Sequence, residues 1–188
     1  PLVVLDGAHN PGGAQTLGNS PTSGLTATGN ITATATTGTI SVGADLLANG
    51  NITTTATQGS IAVGGNLATQ GTVGATAQNG ITVGGALAGQ SATLGSSAGG
   101  VQIASNVQVQ TDLNVTAQTN VQAGGTTVAG GTLQASSTSG SVAFGSDLSV
   151  GTTTNITAGN GITLGGNSQL VGAAQLQSTA GTISNNGV

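Results

Sequence analysis

Lysine, arginine, glutamate, cysteine, methionine, tryptophan and tyrosine are all missing from this chain. Each absence removes a class of function. Without Lys or Arg nothing can neutralise phosphate, so charge-driven nucleic-acid binding is excluded. Without Cys there is neither a disulfide nor a thiolate metal site. The only charged side chains are Asp6, Asp45, Asp112 and Asp147, joined by one histidine (His9) and one aromatic (Phe144). Charged residues make up 2% of the chain, against about a quarter of an ordinary globular domain. No run approaches the roughly 18 apolar residues of a membrane-spanning helix. No basic segment precedes Leu2–Leu5, so no intact signal peptide is expected, and the chain reads as a mature product or an excerpt of a longer one.

What remains is glycine, 35 of the 188 residues, with abundant Ala, Thr, Ser, Asn and Gln. Disordered chains are usually charged and poor in β-branched residues. Here Val, Ile and Thr are frequent and regularly placed, which favours strands. Units such as Gly38-Thr-Ile-Ser-Val42, Gly59-Ser-Ile-Ala-Val63 and Gly161-Ile-Thr-Leu164 recur. Their first apolar residues are Ile40, Ile61, Ile81, Val101, Val121, Val142, Ile162 and Ile183, separated by 21, 20, 20, 20, 21, 20 and 21 residues. A period near twenty marks a repeat architecture.

Three apolar columns run through the repeats. The first takes Ile31, Ile52, Val73, Ala92, Leu113, Leu133 and, past an ambiguous register at residues 153–156, Leu176. The second is the Ile40 series with partners two residues on, from Val42 to Leu164. The third takes Leu47, Leu67, Leu87, Val107, Val128, Leu148 and Leu170. Within each segment apolar residues alternate with Thr or Ser, the period of a half-buried strand. The fold class expected is all-β: a parallel β-solenoid with three short strands per coil, 20–21 residues per coil and seven to eight coils. Each coil buries its apolar strip on its neighbour about 4.8 Å away. Like residues then stack in register, and that excludes repeated charges. A helical repeat is disfavoured by the Thr, Gly and β-branched content.

Residues 1–24 fall outside the repeat and residues 25–188 form it. Leu2, Val3, Val4 and Leu5 read as a strand that can pair with a neighbouring subunit. Pro21 argues against a full coil before Leu25. Glycines at the strand ends are expected to supply positive φ at the corners. One polar column is read as Asp45, Asn66, Ala86, Asn106, Thr127 and Asp147.

The Gly-x-Ile-x-Val and Asn-Ile-Thr-x-x-Ala units, as at Gly38–Val42 and Asn51–Ala56, recur from about Leu25 onward. In this the chain resembles the β-helical shaft of filamentous-haemagglutinin-type exoproteins, large bacterial proteins exported by two-partner secretion. The resemblance implies an extracellular adhesin or toxin-delivery stalk.

Candidate sites are few. Val4-Leu5-Asp6-Gly7-Ala8-His9-Asn10-Pro11 resembles a motif of folylpolyglutamate synthases, but their ATP chemistry also needs a Gly-Lys-Ser/Thr loop, and this chain has no lysine. His9 with Asp6 lacks the three or four ligands of a metal site. Glycoside hydrolysis needs two carboxylates within about 10 Å, and no two of the four Asp occupy the same or adjacent coils at matching positions. No catalytic, cofactor-binding or metal residue is therefore assigned, and no cofactor. Thr32-Ala-Thr34 and Thr53-Thr-Thr55 have the look of an ice-binding threonine array, but the pattern breaks at Gly74. Asn30, Asn51, Asn114 and Asn155 each open an Asn-x-Thr glycosylation acceptor.

The function expected is that of a non-enzymatic structural protein, an extracellular or cell-surface shaft or filament segment. Its partner is itself, end to end, or the remainder of a longer parent chain. The alternative is an adhesin module that engages a glycan or cell-surface ligand.

Overall fold

A computed structural model describes residues 3–6, 15–17 and 24–187 of the chain. The described residues contain no helix. Their strands form three parallel sheets of nine, nine and eight strands, each built from every third strand in sequence. That order is a stack of coils: eight rungs cross all three sheets, and a ninth, with Ala174–Ser178 and Ile183–Asn185, crosses two. The parallel β-solenoid expected from the repeat is the fold.

Register follows the repeat closely in the second sheet. Ile40 pairs with Ile61, Ile61 with Ile81, Ile81 with Val101, and so on to Ile162 with Ile183. Burial alternates along the strands, as in Ile31–Ala35, where residues 31, 33 and 35 are buried and residues 32 and 34 are not. The core is a continuous cluster running up the axis. Ile31, Ile52, Ile61, Ile81 and Leu94 are among its largest fully buried side chains, each contributing about 1.5–3 kcal/mol by leaving water.

The two other columns need correction. In the third sheet Leu46, not Leu47, pairs with Leu67 and is buried. Thr127, not Val128, sits between Val107 and Leu148. Ser168 rather than Leu170 lies over Leu148. In the first sheet Leu133 is followed by Thr154 and then Ala174, which resolves the ambiguous register; Leu176 stands over Ile156 instead. One physical reason covers the last two: bulk moves between the two same-face positions of a strand. Val73 is followed by Ala75, but Ala92 precedes Leu94, and Ala174 precedes Leu176. Either order fills the same slot in the rung, since close packing constrains the total volume.

The N-terminal segment also behaves differently from expectation. Val3–Asp6 pairs with Ile31–Thr34, and Gln15–Leu17 pairs with Ile40–Val42, both within the chain. With Leu25–Ala27 they complete a first rung, so the break at residue 24 divides the repeat pattern and not the sheets. Val3, Val4 and Leu5 thus lie in an intrachain strand, while Leu2, His9 and Pro21 fall outside the described residues. Pro21 does not prevent this rung because its strand lies earlier, at Gln15–Leu17.

Few corner glycines serve by positive φ. Only Gly38, Gly80 and Gly172 have it among the described residues. The others are needed for space: a Cβ at Gly84 or Gly124 would press on the carbonyl of the preceding coil, Gly64 or Ala104.

Candidate functional surface

The corners hold a recurring device. The residue before the strand is often Asn or Asp, and its Oδ1 accepts the N–H of the equivalent residue one coil later. Asn51 N–H donates to Asn30 Oδ1 at 2.7 Å, and Thr72 N–H to Asn51 Oδ1 at 2.9 Å. Asn66 N–H donates to Asp45 Oδ1 at 2.8 Å, Ala86 N–H to Asn66 Oδ1 at 2.8 Å, and Thr126 N–H to Asn106 Oδ1 at 3.0 Å. The polar column therefore passes through Thr126, not Thr127. At another corner Ser141 N–H donates to Asn120 Oδ1 at 2.9 Å.

Asp112 and Asp147 do the same for Thr132 and Asn167, at 2.8 and 2.9 Å. All three carboxylates whose side chains are described are thus backbone acceptors in a role that Asn fills elsewhere. Asp45 and Asp147 stand in one column five rungs apart, roughly 24 Å at 4.8 Å per rung, and Asp112 lies at a different corner. Among the described residues no three His or Asp side chains come together.

Each such side chain is matched by a glycine one coil on. A Cβ at Gly65, Gly85, Gly131 or Gly140 would land on the Oδ1 of Asp45, Asn66, Asp112 or Asn120. The signal in sequence is an Asx followed 19 or 20 residues later by Gly, and it becomes legible only once register is known.

A second device uses serine. Ser96, Ser137 and Ser178 end first-sheet strands and point inward. Ser96 Oγ donates to the Gln78 carbonyl at 3.2 Å and accepts from the Gly99 N–H at 3.1 Å. Ser137 joins the Thr119 carbonyl to the Gly140 N–H, and Ser178 joins the Asn160 carbonyl to the Gly181 N–H. The Ser-x-x-Gly units recur at a spacing of 41 residues, two coils, a signal the sequence carries.

The glycosylation acceptors fall in two settings. Asn30 and Asn51 are exposed corner residues whose Oδ1 is engaged as above. Asn114 and Asn155 lie on the outward face of first-sheet strands, and the Asn114 Oδ1 is buried without a partner.

That outward face carries two ladders. One runs Thr32, Thr53, Gly74, Thr93, Asn114, Gln134, Asn155 and Gln175; the other runs Thr34, Thr55, Thr76, Gly95, Thr116, Ser136, Thr157 and Gln177. The threonine array interrupted at Gly74 thus continues in the second ladder. Shallow hollows of about 410 and 270 Å³ open beside Asp112 and Gln134, and beside Gln102 and Gln122. They offer hydroxyls and amides, with no nucleophile–base pair and no aromatic platform. Comparison with protein-family models, curated proteins and solved structures found no match to this chain, so the residues and the solenoid geometry carry the functional reading.

Proposed function

We propose that this chain is a non-enzymatic structural element, an extracellular shaft or filament segment of the kind its repeat units resemble. The carrying observation is the unbroken register of three parallel sheets, in which the carboxylates of Asp45, Asp112 and Asp147 serve the backbone. Such a stack is a stiff rod, on the order of 40 Å long for eight rungs at 4.8 Å each, whose surface is nearly free of reactive groups. Its ladder edge at Ala174–Ser178 and Ile183–Asn185 places Ile183 and Val171, the exposed large apolar residues among those described, at one end. A further rung, from a second copy or from the same polypeptide, would pair there.

Electron microscopy of purified protein over a concentration series tests this. Rods of constant width that lengthen with concentration are expected, and Ile183→Asp, which sets a charge on the edge, should shorten them. Single-chain particles at every concentration would overturn self-assembly, and polysaccharide turnover would overturn the non-enzymatic reading. The two hydroxyl and amide ladders of the first sheet favour a second reading, an adhesive face for a neutral glycan. A glycan array without hits would remove it.

A further inference from the structure

Four Asn–Gly pairs stand in the described residues, at Asn49, Asn79, Asn160 and Asn186. In such a pair the glycine nitrogen can attack the side-chain amide of the asparagine before it. The structure distinguishes the four. Gly50 N–H donates to the Gly29 carbonyl at 3.0 Å, and Gly187 N–H to Asn185 Oδ1 at 3.1 Å. At Asn79 the amide itself is tied, its Nδ2 donating to the Gln58 carbonyl at 3.2 Å. At Asn160 neither restraint exists. Its side chain is exposed and makes no hydrogen bond, and the Gly161 N–H meets no acceptor. In its corner column Asn160 lies between Gly140 and Gly181, so no side chain crowds it from the adjacent coils.

We propose that Asn160–Gly161 is a spontaneous deamidation site, favoured by the fold over Asn49 and Asn79. The deprotonated Gly161 nitrogen forms a bond to Asn160 Cγ, the Cγ–Nδ2 bond breaks, and ammonia leaves. Water then opens the five-membered succinimide at either carbonyl, giving aspartate or isoaspartate. Isoaspartate adds a methylene to the main chain at a corner where the Asn160 N–H donates to the Gly140 carbonyl and its own carbonyl accepts from Ser178 Oγ, both at 2.9 Å. The product carries a new charge between two coils and loosens the joint between the first and second sheets.

Trypsin has no cleavage site in this chain, but an endoprotease that cuts before aspartate releases one peptide from Asp45, with Asn49 and Asn79, and one from Asp147, with Asn160. Folded protein is aged in mildly alkaline buffer and mapped by mass spectrometry with isoaspartate-sensitive fragmentation. Asn160 should convert about fivefold faster than Asn49 or Asn79, the factor that breaking one ordinary hydrogen bond beforehand imposes. In urea the three rates should converge. Gly161→Ala should slow Asn160 alone; its Cβ would lie 3.2 Å from the Thr182 carbonyl, a contact that a small shift relieves. Equal rates in the folded protein, no conversion at Asn160, a ranking that survives urea, or a Gly161→Ala variant as fast as the parent would each overturn the proposal.

Discussion

Replacing Gly131 by alanine sets a methyl group on the Asp112 Oδ1, the atom that accepts the Thr132 N–H at 2.8 Å. The next contacts of that methyl are the Thr111 carbonyl carbon and oxygen at 3.1 and 3.2 Å, so the side-chain oxygen is the main obstacle. Displacing it loses a hydrogen bond of roughly 1 kcal/mol, and overpacking adds about 1–3 kcal/mol. A destabilisation of about 2–4 kcal/mol is expected. Gly74→Ala is the control. Its Cβ meets only the Ile52 carbonyl oxygen, at 3.8 Å, and its φ is not positive. That change should stabilise by about 0.4–1 kcal/mol through the unfolded chain. Asp112→Ala alone should cost about 1 kcal/mol. Because it vacates the space the new methyl needs, the double variant should cost about 2–4 kcal/mol less than the sum of the singles. Urea unfolding followed by far-ultraviolet circular dichroism gives the midpoints, as the chain has no Trp or Tyr. Equal shifts for Gly131→Ala and Gly74→Ala, or additivity of the pair, would refute the matching of Asx to glycine.

Thr154 is fully buried with its Oγ1 unpaired, so the isosteric Thr154→Val should raise stability by about 1 kcal/mol in the same urea assay. Leu94→Ala should cost about 2–5 kcal/mol, and adding Ala92→Leu should recover part of it, since the rung tolerates either order of large and small. Ser137→Ala should cost about 1–3 kcal/mol by stranding the Gly140 N–H and the Thr119 carbonyl. Its outward neighbour Ser136→Ala should stay within about 0.5 kcal/mol; a thermal melt that ranks these two the other way would count against the inward serine device.

The period near twenty and the alternation within each segment determined, from sequence alone, the parallel stack, its three strands per coil and the Ile40 column. Those signals are local and recur in every coil, so one misread segment does not disturb them. Which of two same-face positions takes the bulk was not legible. Ala174 before Leu176 satisfies the strand pattern with the bulk at either position, and only the volume of a whole rung, summed over three sheets, chooses between them. Leu46 beside Leu47 and Thr127 beside Val128 point to opposite faces, and only the pairing with the adjacent coils decides which of the two turns inward. The first rung was missed for a related reason: its strands sit at Val3–Asp6 and Gln15–Leu17 on longer connections, without the spacing that marks the others. The Asx–Gly matching and the serine staples likewise join residues about 18 to 21 apart, whose contact exists only once the coils are stacked. Composition and periodicity thus decided that the chain winds into a stack of parallel coils with few ionisable side chains. Tertiary structure decided which side chains fill each rung and which oxygens close its corners, because both depend on the atoms of the coil above and below.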